Sequence, residues 1–456
     1  TILAETQNEH HPNLTYFIYK SIILRNLYGV DIMKEAVEIA KLRLFLKLVA
    51  TVDADYTKPN LGLEPLPDID FNIRAGNTLV GYATEAEIAK SFEGKLDFDN
   101  DTEKIKEKCD IVARAFKRYK EIQLTTGDNY NDFKQAKDEL NERLKQLTAE
   151  LDLLLAKTQY GIDITKNQGN QKNPFQSWYR QHQPFHWFAE FYEIIHDRGG
   201  FDVVIGNPPY VVYTKKDNKT KKSVSDIYKL INFITLPSNN LYSFVIERST
   251  FLINELGTLG MIVPIASIST DGMLYLQQLY LKNFRSQWHS NYATRPGKLF
   301  YGVDMNLTIS ILSKSNTGCK WVSGYTRWYD GENKNRPFIF DLIKYIAPTF
   351  NGHANQFPKL SDEFEVTILK KMLKHNKTLS FFYTTRGDYI FYHSGGRYWR
   401  KAIGTCLSSH YKKIIIDKDK SSIALCLLNS QLFYWYWISN SNCMDVVSRE
   451  VDKLPV

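Results

Sequence analysis

The sequence predicts an α/β protein: an open sheet flanked by helices, broken by a helical insertion and followed by an α+β region. Three observations predict it. Short apolar runs alternate with helical periodicity before residue 84 and again from 201 to about 345. A charged stretch with regularly spaced leucines lies between them. Beyond 345, short aromatic runs alternate with Gly-rich and Lys-rich turns.

Leu27–Ile32 (LYGVDI) is an apolar run ending in an acid and reads as a buried strand. Residues 33–49 follow with helical periodicity, and Phe71–Arg74 reads as a second strand closed by Gly76-Asn77. Strand, helix, strand is the grammar of a parallel sheet. From about Thr84 to Tyr160 charges dominate, ended by a linker around Gly161–Pro174, and Leu140, Leu144, Leu147, Leu151 and Leu154 repeat in a 4-3-4-3 pattern. That spacing is a heptad seam and predicts an antiparallel pair of helices. The aromatic stretch 175–198 reads as a docking segment. Phe201–Gly206 (FDVVIG) reads as a buried strand, Tyr242–Leu256 as a helix stopped by Gly257, and Leu259–Val263 as a strand. Gly272–Phe284 reads as a helix and Leu307–Ser313 as a strand. Tyr389–Tyr392 and Lys413–Ile416 read as short strands, and Leu427–Trp437 as a packed helix. The predicted division is 1–83 with 175–345 as one domain, 84–174 as the insertion, and 346–456 as a further domain, itself incomplete.

With 456 residues, 43% of them hydrophobic, the chain can bury large cores. Its net charge of +8 fits a polyanionic partner and equally fits a mildly basic enzyme. Five cysteines (109, 319, 406, 426 and 443) form no C-x-x-C pair. They read as free thiols of a reducing, cytoplasmic compartment, with no zinc site and no other metal site. No apolar run spans a bilayer, so no membrane partner is expected.

The chemistry is concentrated at Asn207-Pro208-Pro209-Tyr210, directly after the FDVVIG strand. Two prolines fix φ and remove N–H donors, so the chain leaves the sheet in a rigid extended turn. The carboxyl end of a strand is where open α/β sheets bind ligands. An exocyclic amine donates its lone pair into its ring. It attacks a methyl group only if drawn towards sp³ geometry, which two hydrogen-bond acceptors achieve. The Asn207 side-chain oxygen and the Pro208 carbonyl suit that task, and Tyr210 offers a face for a planar base. The plainer reading is a rigid Asn-Pro turn.

The segment resembles the catalytic motif of amino-group methyltransferases. The wider pattern, over about residues 20–345, resembles DNA adenine-N6 methyltransferases of type II restriction–modification systems, including the fused type IIG-like enzymes. In that class a target-recognition domain follows the catalytic domain. The resemblance implies a Rossmann-like methyltransferase sheet and the cofactor S-adenosylmethionine. Asp31 then matches the acid that binds the cofactor ribose, with Ile32 against adenine; the rival reading of Asp31 is a helix N-cap. Gly76-Asn77-Thr78-Leu79 matches the next cofactor motif, and Gly-Asn is also ordinary turn chemistry. Asn207 borders the cofactor as well. Arg295–Leu312 resembles the last motif, in which Phe300 would help Tyr210 hold a flipped adenine; a buried aromatic is otherwise core.

The family's Gly-rich cofactor loop should precede Leu27, yet residues 1–26 contain no glycine. The expectation is that it lies upstream of Thr1 in a longer protein, and that this stretch alone is inactive. A fused restriction nuclease domain or subunit, with its Mg, is also expected upstream if present at all. Double-stranded DNA is the expected partner. Lys215, Lys216, Lys219, Lys221 and Lys222 follow the motif in a loop suited to phosphates, or to solvent. From Lys359 onward 15 Lys or Arg face 9 Asp or Glu. Arg386, Arg397, Arg400 and Lys401 sit in apparent turns where guanidinium groups could reach guanine edges. Three alternatives remain at this point: a protein-glutamine methyltransferase, an RNA methyltransferase, and a non-catalytic DNA-binding subunit.

Overall fold

The computed structural model describes residues 13–456 apart from 58–60, 62, 94–97, 125–129, 164–172, 316–317, 330–337, 349–355, 396–401 and 407. It is a mixed α/β protein that divides into two compact units. The first comprises residues 1–201 and 216–232, the second 202–215 and 233–456. The units meet along the chain at 201/202, 215/216 and 232/233.

In the first unit, helix α1 (Leu14–Asn26) leads into strand β1 (Gly29–Asp31), helix α2 (Lys34–Val49) and strand β2 (Ile73–Ala75). The strands pair in parallel, Gly29 against Ile73 and Asp31 against Ala75. Both are shorter than expected, and Leu27 and Ile32 are exposed rather than buried. Asn72 explains the start of β1. Its buried Nδ2 donates to the carbonyls of Leu24 (3.0 Å) and Leu27 (3.1 Å), closing the end of α1 before the strand begins.

The insertion is the expected helical hairpin, α3 (Phe98–Leu124) and α4 (Tyr130–Thr158). Lys108 reaches Glu150 at 2.6 Å and Tyr119 stacks on Phe133, so the helices run antiparallel. Leu140, Leu144, Leu147 and Leu151 are buried, but Leu155, not Leu154, closes the seam. A straight helix turns every 3.6 residues, so a strict 3.5 repeat drifts off the face. The aromatic stretch docks as expected: Phe185 and Phe191 are buried, with Trp187 and Phe201 packed on them.

The second unit holds a six-stranded sheet in the order β3-β4-β6-β5-β7-β8. Its strands are β3 (Phe201–Gly206), β4 (Ile253–Pro264), β5 (Ser286–Tyr292), β6 (Leu307–Ser313), β7 (Lys320–Thr326) and β8 (Tyr345–Ile346). β4 and β5 flank β6 antiparallel, and β5 pairs with β7 in parallel, so the sheet is mixed. The strand β3 lies at its edge and is not buried on both faces: Val203 and Ile205 are 60% and 80% exposed. Val204 packs on the core instead. The helix α5 (Leu241–Leu252) ends at Ile253, and Gly257 lies inside β4 rather than stopping a helix. From Thr258 onward β4 pairs with β6, and that pairing outweighs the local punctuation of glycine.

Described residues beyond 346 pack into the same core as the sheet. Phe433, Trp437 and Val451 share one buried cluster with Leu259, Leu276 and Phe284 of the sheet layer. Asn306 adds a bridge, donating to the carbonyls of Asn442 and Cys443. Strands β9 (Tyr383–His393) and β10 (Tyr411–Ile416) form an antiparallel ribbon longer than the expected runs. The expected helix at 427–437 is two helices, α6 (Lys418–Leu428) and α7 (Gln431–Asn440), because Ser430 caps the second through the N–H of Phe433.

Candidate functional site

The four motif residues sit at the carboxyl end of β3. Pro208 is buried, Asn207 and Pro209 are exposed, and Tyr210 is half-buried against the unit's core. Gly206 leaves room for the strand to pass β4, since a Cβ there would lie 3.1 Å from Met261 sulfur. The Tyr210 hydroxyl is 2.7 Å from Asn207 Oδ1 and 3.0 Å from the carbonyl of Ile262 in β4. It has one hydrogen for two acceptors. Burial pushes its pKa up to about 12, so it remains a donor through neutral pH. This tie between the Tyr210 hydroxyl and the Asn207 amide was not legible in the sequence. A tyrosine three residues after an asparagine gives no sign of where its hydroxyl points.

Phe300 belongs to the same end of the same sheet. Pro264, the last residue of β4, pairs with Leu307, the first of β6, and the loop 293–306 leads into that strand. Phe300 is 36% exposed and Tyr301 is 79% exposed, so neither is spent as core. The loop is pinned beneath them: Asn306 Oδ1 accepts from Thr294 N–H and from the Tyr325 hydroxyl.

In the first unit the carboxyl ends of β1 and β2 bring Asp31 and Asn77 together, because Gly76 N–H donates to the Asp31 carbonyl at 2.9 Å. Asp31 is exposed, and its Oδ1 accepts the N–H of Met33 at 2.7 Å. It is not the cap of α2, whose N-cap is Met33. Asn77 is buried. Its Oδ1 accepts from Leu79 N–H, while its Nδ2 is sealed from water with no acceptor. Such an unspent donor is costly unless something arrives to accept it. Thr78 is half-buried and Leu79 buried, and Ile32 is exposed beside Asp31.

The loop at 76–81 is held by the aromatic segment. Asn77 N–H donates to the Gln183 carbonyl and Phe185 N–H to that of Val80. Gly81 adopts φ +128°, and a Cβ there would lie 2.1 Å from the Phe185 carbonyl oxygen, so only glycine fits. This requirement was also missed from the sequence.

A model of the family "Eco57I restriction-modification methylase" matches residues 25–295, more than half of the chain. The chain belongs to the Eco57I restriction-modification methylase family. Among curated proteins it is 31% identical over 337 residues to a protein of Methanocaldococcus jannaschii described as a type II restriction enzyme and methyltransferase. That match covers 65% of this chain and 27% of the relative. It is 35% identical over 83 residues to the Escherichia coli type II restriction enzyme and methyltransferase RM.Eco57I, covering 18% of this chain and 8% of that one. The chain thus spans about a quarter or less of the length of these relatives. Among solved structures, the type IIL restriction-modification enzyme MmeI in complex with DNA aligns over 99% of this chain and 65% of its own. The identity is 9% and the TM-score 0.39. The type ISP enzyme LlaGI, as a nuclease-deletion mutant with a DNA substrate mimic, aligns over 55% and 26% at 13% identity and a TM-score of 0.30. At such values neither bears on the chemistry below.

The match to this methylase family spans Asp31, Asn77, the Asn207–Tyr210 motif and the lysine loop, but stops before Phe300. All five loop lysines are exposed. The loop is ordered by Asp217, whose carboxylate accepts from the N–H groups of Lys219 and Thr220, and by a Ser223–Asp226 capping box. These bonds hold the Asp217 carboxyl below its ordinary value, the bond from Thr220 N–H most. Arg386 lies exposed within β9, not in a turn, because its neighbours Thr384, Thr385 and Tyr389 favour an extended chain. Arg397, Arg400 and Lys401 lie outside the described residues. Among those described, no helix is long and apolar enough to cross a membrane.

Proposed function

We propose that this chain carries the chemistry of a DNA methyltransferase that places a methyl group on N6 of an adenine flipped from duplex DNA. S-adenosylmethionine supplies the electrophilic methyl group. The observation that carries the reading is Asn207, exposed at a strand's carboxyl end, with its amide held by the Tyr210 hydroxyl.

The residues fit the cofactor. The exposed carboxylate of Asp31 keeps acceptor capacity for a ribose diol beyond its bond to Met33, and the unspent Asn77 Nδ2 suits a ring nitrogen of a purine. Asn207 Oδ1 and the Pro208 carbonyl accept the two hydrogens of the amine, draw its lone pair out of the ring and stabilise the positive charge that develops there. The Tyr210 and Phe300 rings hold the flipped base, which pays for its unstacking through contact with them. The exposed lysines at 215–222 hold phosphates.

The experiment is transfer of radiolabel from S-adenosylmethionine to unmethylated bacterial DNA by the intact protein. Label recovered as N6-methyladenine and lost in Asn207→Ala, with duplex affinity kept, is the expected result. Label in cytosine, in RNA or in protein would replace the substrate, and cofactor binding without any transfer would remove the activity.

A further inference from the structure

The loop 77–82, which carries Asn77, is irregular, and the segment 183–188 satisfies its backbone. Asn77 N–H donates to the Gln183 carbonyl at 2.8 Å, Phe185 N–H to that of Val80 at 2.8 Å, and Phe188 N–H to that of Tyr82 at 3.1 Å. The Trp187 indole N–H donates to the Thr78 carbonyl at 3.3 Å. Residues 183–186 are themselves outside any helix, so what fixes them must come from a regular element.

That element is the helical hairpin. His186 is buried and stacks on the buried Tyr82 ring, with centres 5.3 Å apart. Its Nδ1 accepts the Tyr82 N–H at 3.2 Å, which leaves its hydrogen on Nε2, and that hydrogen faces Asp152 Oδ1 at 3.1 Å. Asp152 lies on the buried face of α4, beside Leu151, Leu155 and Ala156. Placing a carboxylate there is costly to desolvate, and an apolar side chain would carry no such penalty. What the carboxylate adds is direction, because it fixes which nitrogen of His186 faces the loop. The far side of Tyr82 is held as well. Its hydroxyl lies 2.9 Å from Ser91 Oγ, to which Gln159 Nε2, just past the end of α4, donates at 3.4 Å.

We infer that the helical hairpin braces the cofactor loop, with Asp152 orienting His186 and His186 fixing the backbone of Tyr82, so that Asn77 keeps its unspent amide in place for the cofactor purine. Both are positioning residues, buried behind the loop and acting through it. The inference rests on the reading of Asn77 as a contact of S-adenosylmethionine, and it gives the insertion a task.

The test is calorimetric titration of S-adenosylhomocysteine into the intact protein. Asp152→Asn keeps an acceptor for the His186 Nε2–H and should bind within about twofold of wild type. Asp152→Ala loses it and should bind roughly five- to tenfold more weakly, with duplex-DNA affinity unchanged. Because Asp152→Ala also destabilises the first unit, the deciding variant combines Asp152→Leu with His186→Phe. It replaces the polar pair by apolar groups and keeps a ring over Tyr82. It should melt within a few degrees of wild type yet bind S-adenosylhomocysteine roughly five- to tenfold more weakly. A second readout needs no cofactor: hydrogen exchange in the unliganded protein should be about fivefold faster across 77–82 in the double variant. Wild-type affinity and wild-type exchange in the folded double variant overturn the brace and leave the methylation reading intact. Faster exchange with unchanged affinity overturns it as well, since the loop then binds without being held. A wild-type protein that binds no S-adenosylhomocysteine overturns the cofactor reading and the brace with it.

Discussion

Removing one oxygen atom, in Tyr210→Phe, separates the two tasks assigned to that residue. The ring stays packed against the core and keeps its face for a base. What is lost is one hydrogen, shared between Asn207 Oδ1 at 2.7 Å and the Ile262 carbonyl at 3.0 Å. A half-buried hydrogen bond of this kind contributes about 1 kcal/mol net. If its work is to orient the Asn207 amide for the incoming amine, that energy is lost mainly when the acceptor is needed. The expected result is a kcat about three- to tenfold lower, a KM for DNA within about twofold, and a melting temperature lower by a few degrees at most. The assay is single-turnover methyl transfer beside steady-state kinetics, with Tyr210→Ala as the reference that loses the ring as well. Because burial raises the tyrosine pKa to about 12, its fall in activity with pH should begin well above 10. An unchanged kcat would make the hydroxyl a bystander. A loss beyond a hundredfold, or a wild-type rate that falls near pH 10, would place the hydroxyl in the chemical step and refute an orienting role.

Three further outcomes follow from closely packed groups. The His186 Nδ1 accepts Tyr82 N–H at 3.2 Å, so its Nε2–H faces Asp152 at 3.1 Å; Asp152→Ala orphans that donor and should cost the first unit about 3 kcal/mol in urea unfolding, with Asp152→Asn costing less, and a loss below about 1 kcal/mol would contradict it. Burial holds the Lys359 ammonium down to about 8, below its unfolded value. The charged form is therefore penalised fully below pH 8 and relieved as pH rises towards 10.5, so wild type should gain stability relative to Lys359→Met across that window; a constant difference between pH 7 and 9.5 would be the contrary result. Gly81→Ala forces a Cβ onto the Phe185 carbonyl at a positive φ, and calorimetry should show loss of about 2 kcal/mol or more.

What was readable beforehand follows the range of the forces involved. β6 falls on Leu307–Ser313 as the apolar run indicates, because pairing on both sides agrees with local preference. The start of β4 was not readable: its first residues look like the tail of a helix, and they are extended in a strand that the fold sets between β3 and β6. The exposure of Val203 and Ile205 had the same cause, since strand order decides which apolar run lies at an edge. Around the candidate site, residue types were legible and contacts were not. Asparagine, prolines and tyrosine mark a rigid turn at the end of a strand. The Tyr210–Asn207–Ile262 bonds, the unspent Asn77 amide and the Asp152–His186 pair depend on partners brought in by the fold.

The lysine loop carries the remaining consequence. Residues 216–232, which carry four of the five lysines, belong to the first unit and are tied down within it. The tie is at Lys229, whose N–H donates to His182 Nε2 at 3.3 Å and whose carbonyl accepts the Tyr160 hydroxyl at 2.9 Å. His182 is set for this because its Nδ1 faces the Trp178 carbonyl at 2.9 Å, leaving Nε2 the acceptor of the neutral ring. Burial lowers its pKa, which keeps the ring neutral near pH 7. Opening of the loop should therefore be limited by these two bonds, each contributing about 1 kcal/mol. Trypsin cleaves after lysine, and five exposed lysines lie between 215 and 222. At pH 8, Tyr160→Phe and His182→Phe should each be nicked there about fivefold faster than wild type, with the aromatic stack kept in both. Equal nicking rates would mean that the loop opens without breaking at Lys229, and the lysines would then be placed by Asp217 and the Ser223–Asp226 box alone.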